Sequence, residues 1–282
     1  VNAVANKLGL EYVGVTNRMT GQGYKEASNK DAFVNVGNPQ MSRLLQPSPT
    51  TTPTQDDNNT DPLKVLHDLH NHNNKVPYWI PSGASLHPLG GLGYARCAFE
   101  IASQEAQLPR SPSQSPFQPA RFDYIFVACG SGSTVAGLIA GFKLLDSLGQ
   151  GGTRTPRKII GILNSPTKPL AYHEERVLRF ARTTGRLIGL DDPEAEITMA
   201  DVHLDDRFVG TAYGSVDDET KRHLRLMAEV EGVILDPVYT AKVAWGLASC
   251  VRNGELGGDG QVNGLFVHTG GQAALPAYSD RI

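Results

Sequence analysis

The chain has 282 residues, 20% of them charged, and a net charge of −3. That length buries a sizeable core in one large or two modest domains, and the balanced charge excludes a basic surface for nucleic acid. No apolar run approaches the roughly 18 residues that a membrane-spanning helix needs, so no membrane partner is expected.

Residues 1–9 read as the end of an amphipathic helix that feeds a strand at Tyr12–Val15, and Asn35–Leu45 reads as a further helix. The run Gln46–Thr60 is too poor in apolar residues to pack. It reads as a surface insert, as do the proline-rich Pro109–Pro119 and the short Gln150–Thr153. The stretch holding His67, His70 and His72 is interleaved with Asn71, Asn73 and Asn74 and reads as a polar loop, with no metal expected. Val76–Pro81 suggests a short strand, and Gly90–Gln107 a helix opened by a glycine-rich turn. Phe122–Ala128, Lys158–Ile162 and Gly264–His268 suggest further strands, and Thr134–Leu148, Glu174–Leu187 and Glu219–Glu229 the helices between them. A last helix is entered through Pro237, which places Tyr239 and Thr240 near its start.

This alternation predicts an α/β fold whose parallel strands are joined by crossover helices. Ligands in such sheets sit at the carboxyl ends of the strands, so the loops after Ile80, Ala128 and His268 are expected to face one site. The three cysteines, Cys97, Cys129 and Cys250, are widely spaced and lack metal-ligand spacing. They read as buried thiols in a reducing compartment. Val1–Lys7 shows no signal-peptide pattern, and the expectation is a cytoplasmic protein.

The most informative stretch is FDYIFVACGSGSTVAG (122–137), a buried strand that breaks at glycine and enters an apolar helix through a turn of small and hydroxyl residues. Such a turn offers an anion several backbone N–H groups, the positive end of a helix and two or three hydroxyls. Gly132 and Gly137 have P-loop spacing, but Leu138 and Ile139 stand where Lys and Ser or Thr are needed. Val135 occupies the place where a dinucleotide fingerprint has Gly or Ala. What remains is a cradle for a single phosphomonoester such as that of pyridoxal 5′-phosphate. The alternative is that the glycines merely end a strand and begin a helix.

Six segments carry a resemblance. VGNPQMSRLL (36–45), IPSGASLHPLGGLGYARCAFEI (80–101), the stretch 122–137, ADVHLDDRFVGTAYG (200–214), LDPVYTAKVAWGL (235–247) and FVHTGGQAALPAY (266–278) occur in order over nearly the whole chain. They resemble the 1-aminocyclopropane-1-carboxylate (ACC) deaminase and D-cysteine desulfhydrase family, pyridoxal-phosphate enzymes of the tryptophan-synthase-β type (fold type II). The resemblance implies two α/β domains with the cofactor between them: a small one remaining in residues 1–80 and a large phosphate-binding one over 81–282. It implies phosphate contacts from Ser131, Gly132, Ser133 and Thr134, with Tyr239 and Tyr213 on the substrate side and Thr240 and Thr269 near the pyridine ring. Family members are commonly dimers, so a homodimer is expected.

ACC deaminases usually have Glu and Leu where Thr240 and Thr269 stand. A neutral hydroxyl supplies no charge to the ring nitrogen, so the two threonines imply the desulfhydrase side, D-cysteine to pyruvate, ammonia and sulfide. The alternatives are ACC deamination and an inactive cofactor-binding fragment. The resemblance also implies that the lysine attaching the cofactor, and a Ser-Asn-Gln turn for the substrate carboxylate, precede the position of Val1. The expectation is therefore a small domain shortened at its N-terminus, with impaired turnover. None of Lys7, Lys25, Lys30, Lys64, Lys75 or Lys242 is assigned as the attachment residue.

Overall fold

The computed structural model describes residues 1–14, 35–45, 61–73, 75–81, 83, 87–108, 121–149, 157–165, 167–257 and 262–282. All three inserts, 46–60, 109–119 and 150–153, lie outside the described residues. The chain divides into two compact units, residues 1–80 together with 272–282, and residues 81–271. The closing segment 272–282 thus clusters with the first unit, whereas the sequence reading placed it in the second.

The first unit contains α1 (Asn2–Lys7), α2 (Asn38–Leu44), α3 (Pro62–Asn73) and a closing 3₁₀ segment, Gln272–Tyr278. Side chains tie its pieces together: Asn2 Nδ2 donates to the Ser42 carbonyl at 3.4 Å and Asn6 Nδ2 to that of Leu45 at 2.5 Å. Two expectations fail here. The histidine-bearing stretch is helical, because Val65, Leu66 and Leu69 recur at helical spacing on its partly buried face, and Asp61 Oδ1 accepts from the Leu63 N–H at the helix start. The strands expected at Tyr12–Val15 and Val76–Pro81 are not formed among the described residues. In the second, Pro77 and Pro81 remove two ladder donors, and Val76 is 95% exposed.

The second unit begins with a 3₁₀ turn at Pro88–Gly91 and α4 (Leu92–Glu105), followed by β1 (Tyr124–Cys129), α5 (Ser133–Ser147), β2 (Lys158–Leu163) and α6 (Leu170–Ile188). Then come the short α7 (Pro193–Glu196), β3 (His203–Asp205), α8 (Asp218–Glu231), α9 (Thr240–Arg252) and β4 (Gly264–Phe266). The four strands are all parallel in the order β3-β2-β1-β4. Every residue of β1 is buried, as expected for an interior strand covered on both faces. One face packs Ile125, Val127 and Cys129 against Val135, Leu138 and Ile139 of α5, and the other packs Tyr124, Phe126 and Ala128 towards Val243 of α9.

Helices α4 and α5 approach closely through small residues. A Cβ on Gly137 would stand 2.8 Å from the Tyr94 Cβ, and one on Gly141 2.7 Å from the Ala98 Cβ. Gly137, which had P-loop spacing, is therefore a helix-packing residue. The start of the sheet is held by a buried ion pair: Arg157 reaches the Glu105 carboxylate at 2.5 and 2.6 Å and the Phe122 carbonyl at 2.9 Å. Among the described residues no helix is long and apolar enough to cross a membrane.

Candidate active site

β1 ends at Cys129, and the chain turns through Gly130, Ser131 and Gly132 into α5. Gly132 has φ +92°, a left-handed conformation that glycine adopts without strain. A Cβ there would lie 3.0 Å from Val177 Cγ2 on α6, close enough that the valine would have to shift. The first α5 bond runs from the Ala136 N–H to the Gly132 carbonyl at 2.9 Å, and the earlier N–H groups of the turn lie outside the helical ladder. Ser133 N–H meets Ser131 Oγ only at 3.4 Å, and Ser133 Oγ donates to the Gly83 carbonyl at 3.3 Å. Ser131 and Thr134 are partly exposed, while Gly132 and Ser133 are buried.

Around this turn stand three residues that the sequence reading missed. Arg176 of α6 donates through Nη2 to the Gly130 carbonyl at 2.7 Å and to His173 Nδ1 at 2.9 Å. His173 thus accepts at Nδ1 and keeps its proton on Nε2; burial first, and Arg176 second, lower its pKa. Asn164, just beyond β2, is 2% exposed, and its Nδ2 has no hydrogen-bond partner among the described residues. Nor do Arg176 Nε and His173 Nε2. Asn164 had a signal, a polar residue at the carboxyl end of a buried strand. Arg176 and His173 had none, because each is one polar position on an amphipathic helix.

The two tyrosines that the resemblance assigned to the substrate side lie against each other. Tyr213 Oη and Tyr239 Oη are 2.5 Å apart, with the rings edge to face at 6.2 Å. Tyr239 also borders the turn: its Cε1 is 3.3 Å, and Asn164 Nδ2 3.4 Å, from where a Cβ on Gly130 would sit. Burial, then the Tyr213 hydroxyl, raise the Tyr239 pKa well above the ordinary phenol value, while Asn164 acts in the opposite sense. Tyr239 is therefore a neutral proton donor at physiological pH.

Thr240 sits at the start of α9 and is fully buried. Its hydroxyl donates to Asp236 Oδ1 at 2.7 Å and accepts from the Asp236 N–H at 2.8 Å. The Asp236 carboxylate also accepts the N–H groups of Val238, Tyr239 and Thr240, each at 2.9 Å. Thr240 is thus half of a cap that aims Tyr239. Thr269 follows β4 and is half-buried, beside Gly270 and Gly271 at φ +93° and +98°. The chain there is pinned to the cap: His268 Nε2 donates to the Ile234 carbonyl at 3.0 Å, and a Cβ on Gly271 would lie 2.6 Å from the Asp236 carboxyl.

Cys129 and Cys250 are buried and Cys97 only half so. Burial pushes Cys129 up to about 12 and Cys250 up to about 11, so neither is a thiolate nucleophile at neutral pH.

A glycine turn opening a 15-residue helix, at the carboxyl end of a parallel sheet and ringed by unpaired buried donors, defines an α/β protein with a site for an anionic ligand. The family described as "Pyridoxal-phosphate dependent enzyme" matches residues 3–270. The chain belongs to that family, and its cofactor is pyridoxal 5′-phosphate. It is 36% identical over 281 residues to "Probable 1-aminocyclopropane-1-carboxylate deaminase" of Schizosaccharomyces pombe, covering 99% of this chain and 74% of that protein. It is 37% identical, with the same coverage, to "1-aminocyclopropane-1-carboxylate deaminase" of Pseudomonas syringae pv. tomato. The crystal structure of an "ACC deaminase homologue" superposes with a TM-score of 0.69 at 27% identity, covering 99% of this chain and 71% of that one. The parallel sheet flanked by helices is the type II fold of that neighbour.

The turn fits a phosphate on its own geometry. Its helix-start amides lie outside the ladder, a Cβ at Gly130 or Gly132 would fill the space at its rim, and Arg176 puts a positive charge behind it.

Proposed function

We propose that this chain is a pyridoxal-phosphate dependent deaminase of a small amino acid, with 1-aminocyclopropane-1-carboxylate as its substrate. The observation carrying this reading is the pair of hydroxyls of Tyr213 and Tyr239, 2.5 Å apart, at the rim of the glycine turn. The names of the two relatives favour this substrate over D-cysteine. The D-cysteine reading needs neutral hydroxyls at Thr240 and Thr269 free to meet the ring, but the Thr240 hydroxyl gives its one proton to Asp236 Oδ1 and accepts from the Asp236 N–H. Only the Thr269 hydroxyl then favours D-cysteine.

Ser131, Gly132, Ser133 and Thr134 would hold the phosphate, through amides at the positive end of α5 and through the exposed hydroxyls. When bound, the cofactor supplies an electron sink for negative charge developing at the substrate Cα. Tyr239 holds its proton at Oη and offers it to the atom that gains charge as the ring opens. Tyr213 can replace that proton across the short hydrogen bond. Asp236 and Thr240 fix the backbone beneath Tyr239, so its ring has little freedom to leave the site. No lysine described above is assigned to covalent attachment.

The test titrates the full chain with pyridoxal phosphate and with pyridoxal, then assays both amino acids. With one water taken up, 1-aminocyclopropane-1-carboxylate yields ammonia and a four-carbon 2-oxo acid, and D-cysteine yields ammonia, pyruvate and hydrogen sulfide. The expected result is binding that depends on the phosphate, and the four-carbon acid as product. Tyr239→Phe is expected to lower kcat about 100-fold, the size of a lost acid–base contribution. Faster sulfide release from D-cysteine overturns the substrate, and equal affinity for pyridoxal overturns the phosphate cradle.

A further inference from the structure

Lys242 is fully buried, a rare place for an ammonium. An aliphatic side chain of similar length would fill the same volume without the cost of ion desolvation. Its surroundings show what the charge holds. Nζ donates to the Val209 carbonyl at 3.1 Å and to the Phe208 carbonyl at 3.3 Å. These carbonyls belong to the loop between β3 and α8, which carries Tyr213 a few residues on. Lys242 itself lies three residues after Tyr239, on the first turn of α9.

The helix start therefore grips one loop at two points, with Tyr239 on the Tyr213 hydroxyl and Lys242 on the backbone before it. Between them Gly210, at φ +72°, passes so close that a Cβ would lie 3.3 Å from Nζ and would collide with Ser215 Oγ. Ser215 closes the far side of the loop by donating to the Ala212 carbonyl at 2.7 Å. The charged groups facing the ammonium are Asp217, at the N-cap of α8, and Asp236, in the cap beneath Tyr239; both favour its charged form, against burial.

We propose that Lys242 is a positioning residue, which sets Tyr213 against Tyr239 by anchoring the Phe208–Val209 backbone to α9. It acts through Tyr213 and touches no reacting atom. Its consequence for turnover rests on the deaminase reading above, whereas the anchoring rests on the chain's own contacts.

The experiment separates the two. The full, ligand-free chain is labelled with 3-fluorotyrosine, and the ¹⁹F resonances of residues 213 and 239 are assigned with Tyr213→Phe and Tyr239→Phe. In Tyr213→Phe the Tyr239 resonance moves, because its hydroxyl loses its partner. Lys242→Met, of similar volume and without donors, is expected to move the Tyr239 resonance to that same position. Gly210→Ala, which pushes the loop off Nζ from the other side, is expected to give the same shift, and it carries the test if Lys242→Met does not fold. A Tyr239 resonance unchanged from wild type in a folded variant overturns the proposal.

With cofactor and 1-aminocyclopropane-1-carboxylate, Lys242→Met is expected to lower kcat about tenfold in the wild-type background, and less than about twofold in Tyr213→Phe, since effects through one contact do not add. Equal losses in both backgrounds overturn it as well. A wild-type chain that shows the ¹⁹F coupling without turning over substrate counts against the deaminase reading and leaves the anchor standing.

Discussion

Asp236 gathers three backbone N–H groups and one hydroxyl onto a carboxylate that no solvent reaches. Each buried donor left without an acceptor costs about 1–3 kcal/mol. Asp236→Ala is therefore expected to destabilise the chain by on the order of 3 kcal/mol, read from the urea unfolding midpoint at constant slope. The same substitution frees the backbone of Tyr239, so the loss extends to turnover. Asn164 makes a contrasting case, because among the described residues its Nδ2 has no well-formed hydrogen bond to lose, only the neighbouring Tyr239 hydroxyl that it influences. Asn164→Ala is expected to leave stability within about 1 kcal/mol while altering the Tyr239 hydroxyl it borders, which the Tyr239 ¹⁹F resonance would show. The glycine turn in the sequence pointed to Ser131–Thr134, and the family resemblance to both tyrosines. Neither could point to Arg176, whose importance comes from a neighbour on another element, or to His173 beside it, and the signal of Asn164 was only its place at the end of a buried strand.

Among the elements, α4 and α5 depend on glycine for their separation. A side chain on Gly137 would meet both the Tyr94 Cβ and the Ala95 N. Gly137→Val is expected to destabilise by about 1–3 kcal/mol through overpacking, visible in urea unfolding. Since α5 also opens at the turn proposed to hold the phosphate, weaker binding of pyridoxal phosphate should accompany the loss. The strands and helices of the second unit could be read from their apolar periods, and their bounds shift by only a few residues. Short β3 and α7 could not, because three or four residues carry no period. The strand expected at Val76–Pro81 illustrates the reverse error: local apolar content suggests a strand, but a strand exists only where a neighbour takes its hydrogen bonds.

For the whole molecule, the ionisable groups predict acid sensitivity in two stages. His173 has a folded pKa below its ordinary 6.5, so the stability it contributes is present above pH 6.5 and is lost as pH falls through the lowered value. Protonation also sets a positive ring against Arg176, with Asp206 the only opposing charge felt there among the described residues. Glu255, held by Arg207 and Asn253, is lowered from 4.5 to about 2, so its contribution is present above 4.5 and fades towards pH 2. Thermal melts across pH 7 to 3 should fall in both windows, and His173→Gln should flatten the first alone. An unchanged first stage in that variant would show that His173 is not its source.

The order of apolar runs and glycine breaks was enough to establish a parallel α/β fold and to single out the turn at Ser131–Thr134, while the cofactor class came from the family resemblance carried by six segments. Those features are local or periodic, and a chain carries them in its own spacing. Which partner each polar side chain takes was not written there. Thr240 turned inward to cap Asp236, and Lys242 closed on the carbonyls of a loop more than thirty positions earlier, because such contacts arise only when distant segments pack and each buried donor must find an acceptor.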